Sequence, residues 1–432
     1  MNKVLINILN PFKQLIVDAT IPLDVVFFSI LVILLPIALI TGPAIPDIFL
    51  SLVALYFLIK TINKKLWDYY KSPIVWGFLI FSFYGIFRSL FSDLPIESLT
   101  NEGSMFYFRY ILFALGVWYL TDHNPYLSKC LLYISLFCIF VVTFDGFYQY
   151  FFDVNLFGNE KYNPQRLTGL FGDEPIIGRY ISYLSIFTFA LIYQNFSHSK
   201  KLIKLSISFL VLSEVMVFFT GERSPLFYLS FFSFLILIYI PHYRIYRLIG
   251  ILVSILIIFS IMQINPKAKE RIVDLSINQI SETKIPFLPY SELHERHYIT
   301  AFKMFRDSPL FGVGTNTFRY ECEKEKYFYK SEGCTNHPHH FYIQVLAELG
   351  IIGFLFISTF VLYLSHLLMR QIYYLLKPKN SKPIPFDDFL FIMIIFVFWW
   401  PLIPHMSLYN NWNNVLMMLP LGYLLKALKR TN

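Results

Sequence analysis

Along this chain long apolar runs alternate with short polar breaks, and the runs have the length of membrane-crossing helices. About 17–25 apolar residues suffice to cross a bilayer as a helix. On that basis the pattern predicts about twelve spans, at 22–41, 45–61, 73–91, 105–121, 128–148, 176–195, 202–220, 224–241, 246–264, 341–367, 386–404 and 412–428. The run that opens at Ile21 is too long for a cleaved signal peptide and lacks a small-residue cleavage site, so it is expected to be the first span. Ahead of it, Val4–Val17 is expected either as a short interfacial helix interrupted by Pro11 or as a disordered tail.

One break stands apart from the others. Residues 265–339 form a polar segment of 75 residues, far longer than an ordinary connection. It divides the chain into nine helices over 1–264, a large loop over 265–339, and three helices over 340–432. Inside the loop, Leu293–Arg306 has helical spacing, with Ile299, Phe302 and Phe305 on one apolar face. This predicts an amphipathic helix lying on the membrane domain.

Composition agrees with the pattern. Of the 432 residues 56% are hydrophobic and 15% charged, with 47 Phe and 30 Tyr, and the mean hydropathy is +0.55. So few charges cannot cover a soluble surface, so the expected class is an all-α polytopic membrane protein. The net charge of +8 does not point to nucleic acid, because the basic residues are parcelled into the breaks. Lys64, Lys65 and Lys71, Lys129, Lys200, Lys201 and Lys204, Arg244, and Lys377, Lys379 and Lys382 follow even-numbered spans. With Lys3, Lys13, Lys426, Lys429 and Arg430 at the ends, all fall on one side if both termini are cytoplasmic. The Phe91–Ser104 break is acidic instead, with Asp93, Glu97 and Glu102, and the large loop falls on the outer side.

Candidate chemistry concentrates where the large loop re-enters the apolar chain, at Asn336–Gly353. There His337, His339 and His340, with Gln344 and Glu348, gather at an expected membrane boundary, where ionisable groups are costly unless paired or used. Gln344 and Glu348 are four residues apart and share a helix face; they either line a pocket or form a buried polar pair, and the pair is the favoured reading. Cys130 and Cys138 are expected only to pack. Cys322 and Cys334 lie twelve positions apart in the outer loop, where an oxidising compartment permits a disulfide. Zinc binding by the three histidines is a weak alternative, because neither a thiolate nor a carboxylate completes the set.

These motifs resemble the O-antigen ligase and polymerase superfamily of bacterial membrane glycosyltransferases. The resemblance rests on His339-His340 followed by Gly350-Ile-Ile-Gly353, on Arg166-Leu-Thr-Gly-Leu-Phe-Gly172, on Thr220-Gly-Glu-Arg-Ser224, and on Arg296-His-Tyr-Ile-Thr-Ala-Phe-Lys-Met-Phe-Arg-Asp-Ser-Pro-Leu-Phe-Gly312-Val-Gly314. It extends over residues 140–355; His340 departs from the Asn, Ser or Gln usual after the motif histidine. The resemblance implies a GT-C-like fold in the bacterial inner membrane with a periplasmic active site. It further implies inverting transfer of a glycan from undecaprenyl diphosphate to an acceptor hydroxyl, without metal ion or other cofactor. The acceptor is a lipid A–core sugar in a ligase, the favoured reading, or a second carrier-linked glycan in a polymerase.

The residues fit such chemistry independently. A glycosyl diphosphate already has a good leaving group, so the site needs fixed positive charge where the bond breaks, and arginine forks match phosphate oxygens. Arg223, Arg296 and Arg166, then Arg179, Arg109 and Arg88, all fall near the outer side. Each either binds the diphosphate or pairs with a carboxylate such as Asp145, Asp173, Glu174 or Glu222 and snorkels to lipid phosphate. The acceptor hydroxyl must lose a proton, which suits a neutral imidazole; His339 is the expected base, with His340 orienting or replacing it. Gln344 and Glu348 are the candidates for an acceptor pocket. A secondary transporter and a flippase remain as readings. Repeat halves are not seen, and the arginines cluster at one rim instead of along the membrane depth.

Overall fold

The computed structural model describes residues 2–100, 103–161, 166–264, 269–275, 277–278, 291–330, 333–377 and 383–431. Glu102, Lys379 and Lys382, which entered the charge reading, lie outside these residues, as does part of the 265–339 loop. The described chain is helical and contains no strand. Its helices are α1 (Asn2–Val17), α2 (Leu23–Ala38), α3 (Ala44–Lys64), α4 (Pro73–Leu90), α5 (Pro95–Thr100), α6 (Arg109–His123), α7 (Leu127–Phe152) and α8 (Ile177–Phe196). They continue as α9 (Lys200–Phe219), α10 (Arg223–Tyr239), α11 (Arg244–Ile264), α12 (Glu292–Asp307), α13 (Phe318–Glu321), α14 (Phe341–Leu376), α15 (Phe386–Phe398) and α16 (Asn411–Thr431).

Every one of the apolar stretches read from the sequence forms a helix. Seven are long and apolar enough to cross a membrane, and α10 is a shorter apolar helix. The chain is a multi-pass membrane protein. Local chemistry sets the ends. Pro73 opens α4, where a missing N–H costs nothing. Ser199 and Ser291 cap α9 and α12 by accepting from Leu202 N and His294 N. Helices α6, α8 and α15 are buried on nearly every face, with α6 packed on α3 and α16, and α8 on α7, α9, α10 and α15. Glu214 of α9 pairs with the fully buried Arg247 of α11, and Ser233 and Ser254 donate to the same carboxylate. Two opposite charges thus enter an apolar interior together, the arrangement that limits their desolvation cost.

Two expected spans differ from the sequence reading in ways that matter for the site. The stretch 386–404 ends as a helix at Phe398. Pro401 and Pro404 follow, and neither can donate to a continuing helix, so residues 399–410 form an irregular loop that turns back into the protein. Helix α14 runs on to Leu376 but is broken at Gly350, which has φ 65° and ψ −165°. The Pro309–Gly314 turn inserts at that break. Val313 N and Gly314 N donate to the Ala347 and Glu348 carbonyls (3.0 and 2.9 Å), and Ile351 N donates to the Pro309 carbonyl (2.9 Å).

Glycine is required at 350 by this crossing of two backbones. A Cβ there would lie 2.3 Å from the Leu310 carbonyl oxygen, and the backbone is left-handed. Gly350→Ala should therefore lose about 1–3 kcal/mol from the backbone conformation alone, and more from the overlap. Gly77→Ala is the control, since a Cβ at Gly77 meets nothing within 4 Å. The unfolding midpoint of each purified variant checks this: a fall for Gly350→Ala, and no fall for Gly77→Ala.

The amphipathic helix of the large loop is present as α12, but the face it buries is not the expected one. His297, Tyr298, Thr300, Ala301 and Met304 are buried, whereas Phe302 is 46% exposed. Ala301 and Met304 pack on Phe318, Cys322, Tyr327 and Ala347 in a small second core. Phe302 and Phe305 meet outside it with their rings tilted, centroids 5.7 Å apart. A small outer core favours compact side chains, and the polar part of that face turns toward the histidines described next.

Candidate active site

Helices α8 and α10 begin at the same end of the bundle. Glu222, the residue before α10, reaches across to α8, and its carboxylate accepts from Gly178 N at 2.6 Å. Gly178 permits this approach, because a Cβ there would lie 2.5 Å from Thr220 Oγ1. Arg179 in the first turn of α8 and Arg223 at the first position of α10 are thus brought together at two helix N-termini, which themselves favour anions. Arg166 joins them from the preceding loop. That loop is held by Gln149, whose side-chain oxygen accepts from Thr168 N and Gly169 N (3.0 and 2.9 Å). The charge of Arg166 bears on both Arg223 and Glu222. Burial raises the Glu222 carboxyl to about 7, partly offset by Arg179 and Arg166. Arg166 Nε and Arg179 Nε and Nη1 are sealed from solvent with no hydrogen-bond partner among the described residues.

The histidines face this arginine group. The charge of Arg179 bears on His337, His339 and His405, and that of Arg223 on His294. His339 is surrounded by His337, His297 and His294, at ring-centroid distances of 4.4, 5.3 and 5.7 Å. His340 lies 5.3 Å from His405 and 5.7 Å from Tyr298. His339 has φ 54°, a left-handed conformation uncommon outside glycine that concentrates at functional sites. His340 Nε2 sits 2.9 Å from the Pro401 carbonyl oxygen. A carbonyl only accepts, so Nε2 carries the proton and Nδ1 keeps the lone pair.

Burial favours the neutral form of His294, His337, His339, His340 and His405. It pushes His339 down to about 4, aided by His297 and Arg179. His340 is likewise pushed to about 4 and His294 to about 3, while His337 and His405 lie well below the usual imidazole value. Among the described residues no group of three or more His, Cys, Asp or Glu is arranged to hold a metal ion.

The other expected residues are placed as follows. Arg296 is on α12 next to His297, and its guanidinium pairs with Glu292 at 2.9 Å. Arg109 pairs with Asp47 at 2.8 Å and donates to Asn411. Arg88 donates to the Gly312 and Phe311 carbonyls, bracing the turn at the α14 break. The Glu348 carboxylate accepts from Asn316 N and Phe318 N (2.9 and 3.0 Å). Gln344 donates to Ser407 Oγ and accepts from Leu408 N, both at 3.1 Å. This polar pair therefore ties the 309–318 segment and the 399–410 loop to α14. Cys322 and Cys334 are bonded to each other, with Cα atoms 5.2 Å apart, inside the range a disulfide spans. Asp145 accepts from Leu156 N at 2.9 Å.

Sequence reading missed His294, His297 and His405. The first two are legible in retrospect, because a spacing of three puts both on one face of α12. His405 gives no comparable signal, being a lone ring in the short break after a run read as membrane helix. A groove of ≈ 500 Å³ runs between α4 and α14, walled by Phe78, Phe81, Tyr107, Phe356, Phe360 and Trp399. Trp399 touches Phe341 (5.2 Å), and Phe341 touches His405 (4.3 Å).

Comparison with known proteins gives two results. No curated protein matches the chain. Residues 207–358, which include Arg223, α12 and the histidine segment, match the model of the O-antigen ligase family. That match supports O-antigen ligase or polymerase type function in general, with lipid-linked glycans as the substrates the family implies. Residues 207–358 thus resemble the O-antigen ligase domain, and this match over about a third of the chain supports the O-antigen ligase and polymerase superfamily.

Proposed function

We propose that this protein is an O-antigen ligase-type glycosyltransferase. It moves a glycan from undecaprenyl diphosphate to a sugar hydroxyl of lipid A–core, with inversion at the anomeric carbon. The observation that carries this reading is the approach of an arginine group to the histidines, with Arg166 beside Arg223, Arg179 near His339 and Arg223 near His294, from distant stretches of chain. In the reaction the acceptor oxygen attacks the anomeric carbon, and the bond from that carbon to the diphosphate oxygen breaks. The hydroxyl proton passes to His339, and the electron pair leaves with the diphosphate, which the arginines and two helix N-termini hold. His340, fixed by the Pro401 carbonyl, orients its neighbour. The apolar groove, which connects to His405 through Trp399 and Phe341, suits a hydrocarbon chain on one of the substrates.

In this reading about twelve helices cross the bacterial inner membrane. Both termini are cytoplasmic, and the large loop lies in the periplasm over the site. The basic breaks after even-numbered spans support that orientation. The test is reconstitution in liposomes with a lipid-linked glycan and two acceptors, lipid A–core and a second lipid-linked repeat. Transfer to lipid A–core alone is expected. Lengthening of the lipid-linked repeat would make the protein a polymerase, and transport of the glycan lipid without any product would overturn both.

A further inference from the structure

His405 is one of the side chains in this region that the transfer reaction, as described, does not use. It sits in the loop that replaced the end of an expected helix, and only 4% of it is exposed. Neither ring nitrogen makes a hydrogen bond of ordinary geometry among the described residues, although the Trp400 carbonyl lies near. Buried polar atoms almost always have partners, and the exceptions in native proteins mark places where something else supplies one. An apolar ring of similar size would fill this space beside Phe341 (4.3 Å) without that penalty. The ring is also fixed in relation to the proposed base, because the backbone N–H of His405 donates to the His339 carbonyl at 2.8 Å. His340 is 5.3 Å away on the other side, and the Arg179 charge reaches the ring.

We propose that His405 is a substrate-contacting residue that hydrogen-bonds a hydroxyl of the acceptor sugar beside His339 and His340. A neutral imidazole offers one donor and one acceptor, and a sugar hydroxyl is both; the match needs no charge. This proposal rests on the glycosyl-transfer reading. It makes the 399–410 loop a wall of the acceptor site as well as a brace for it: Pro401 holds His340, Ser407 and Leu408 hold Gln344, and His405 meets the sugar.

The experiment compares His405→Phe and His405→Gln with the natural protein, measuring unfolding midpoint and transfer kinetics against acceptor concentration. His405→Phe removes two unsatisfied buried atoms, so its unfolding midpoint is expected to stay level or rise. Its kcat/KM for the acceptor is expected to fall by about tenfold or more, mostly through KM, as when a site loses a hydrogen bond to substrate. His405→Gln keeps a donor and an acceptor and should recover part of the loss. A His405→Phe protein with natural kinetics overturns the proposal and leaves the transferase reading standing. So does a loss of activity that follows a loss of stability and is not relieved in His405→Gln. A natural protein that transfers no glycan from any lipid-linked donor removes both.

Discussion

Replacing His339 by alanine is expected to lower glycan transfer by about 10²–10⁴-fold, the contribution of a positioned proton acceptor, without loss of the folded protein. His339 holds a left-handed backbone that asparagine tolerates better than most residues, so His339→Asn separates chemistry from conformation. It should fold at least as well as His339→Ala and remain as inactive. The pH profile carries a second signature. The ring acts as a base only when neutral, and burial with His297 and Arg179 nearby pushes it down to about 4. As pH falls, kcat/KM should therefore hold through the usual imidazole range and decline only near 4. The limb in kcat should lie higher, because the bound diphosphate brings negative charge that favours the protonated ring. An acid limb in kcat/KM near 6.5, or full activity in either variant, would remove His339 from this role.

The helices were legible because a membrane imposes a simple rule: each crossing needs an unbroken apolar run, and the runs survive without knowledge of any partner. The legible part of the site was local in the same sense. His337, His339 and His340 are adjacent in sequence, and Arg223 sits in a motif that ends an apolar run. What could not be read depends on contacts between distant residues. Arg88 and Arg109 looked like Arg179 in sequence; the Gly312 carbonyl and Asp47, 224 and 62 positions away, set them apart. The break at Gly350 follows from a turn forty residues earlier that enters the helix, and Gly-Ile-Ile-Gly alone reads equally well as a packing motif. The buried face of α12 was misjudged because the largest apolar residues were assumed to point inward. The outer core is too small for Phe302, which remains largely exposed.

Arg223 should be nearly as sensitive as His339. Its guanidinium stands at the first position of α10, and the charge of Arg166 presses on it, so two like charges are held together with Arg179 close by. Such repulsion costs stability in the free protein and is relieved when a diphosphate arrives, which makes the cluster selective for a multiply charged anion. Removing one donor that acts on charge developing in the transition state costs about 10²–10³ in kcat, and that is the fall expected for Arg223→Ala. Arg223→Lys should not restore it, because a lysine supplies charge but no planar fork for two phosphate oxygens. The kinetic split decides between mechanism and simple attraction. Loss of a residue that binds the leaving diphosphate as the bond breaks lowers kcat, whereas loss of one that only draws in an anionic lipid raises KM and leaves kcat alone. If Arg223→Lys is fully active, or if Arg223→Ala changes KM alone, the cluster is an electrostatic funnel and the leaving group is held elsewhere.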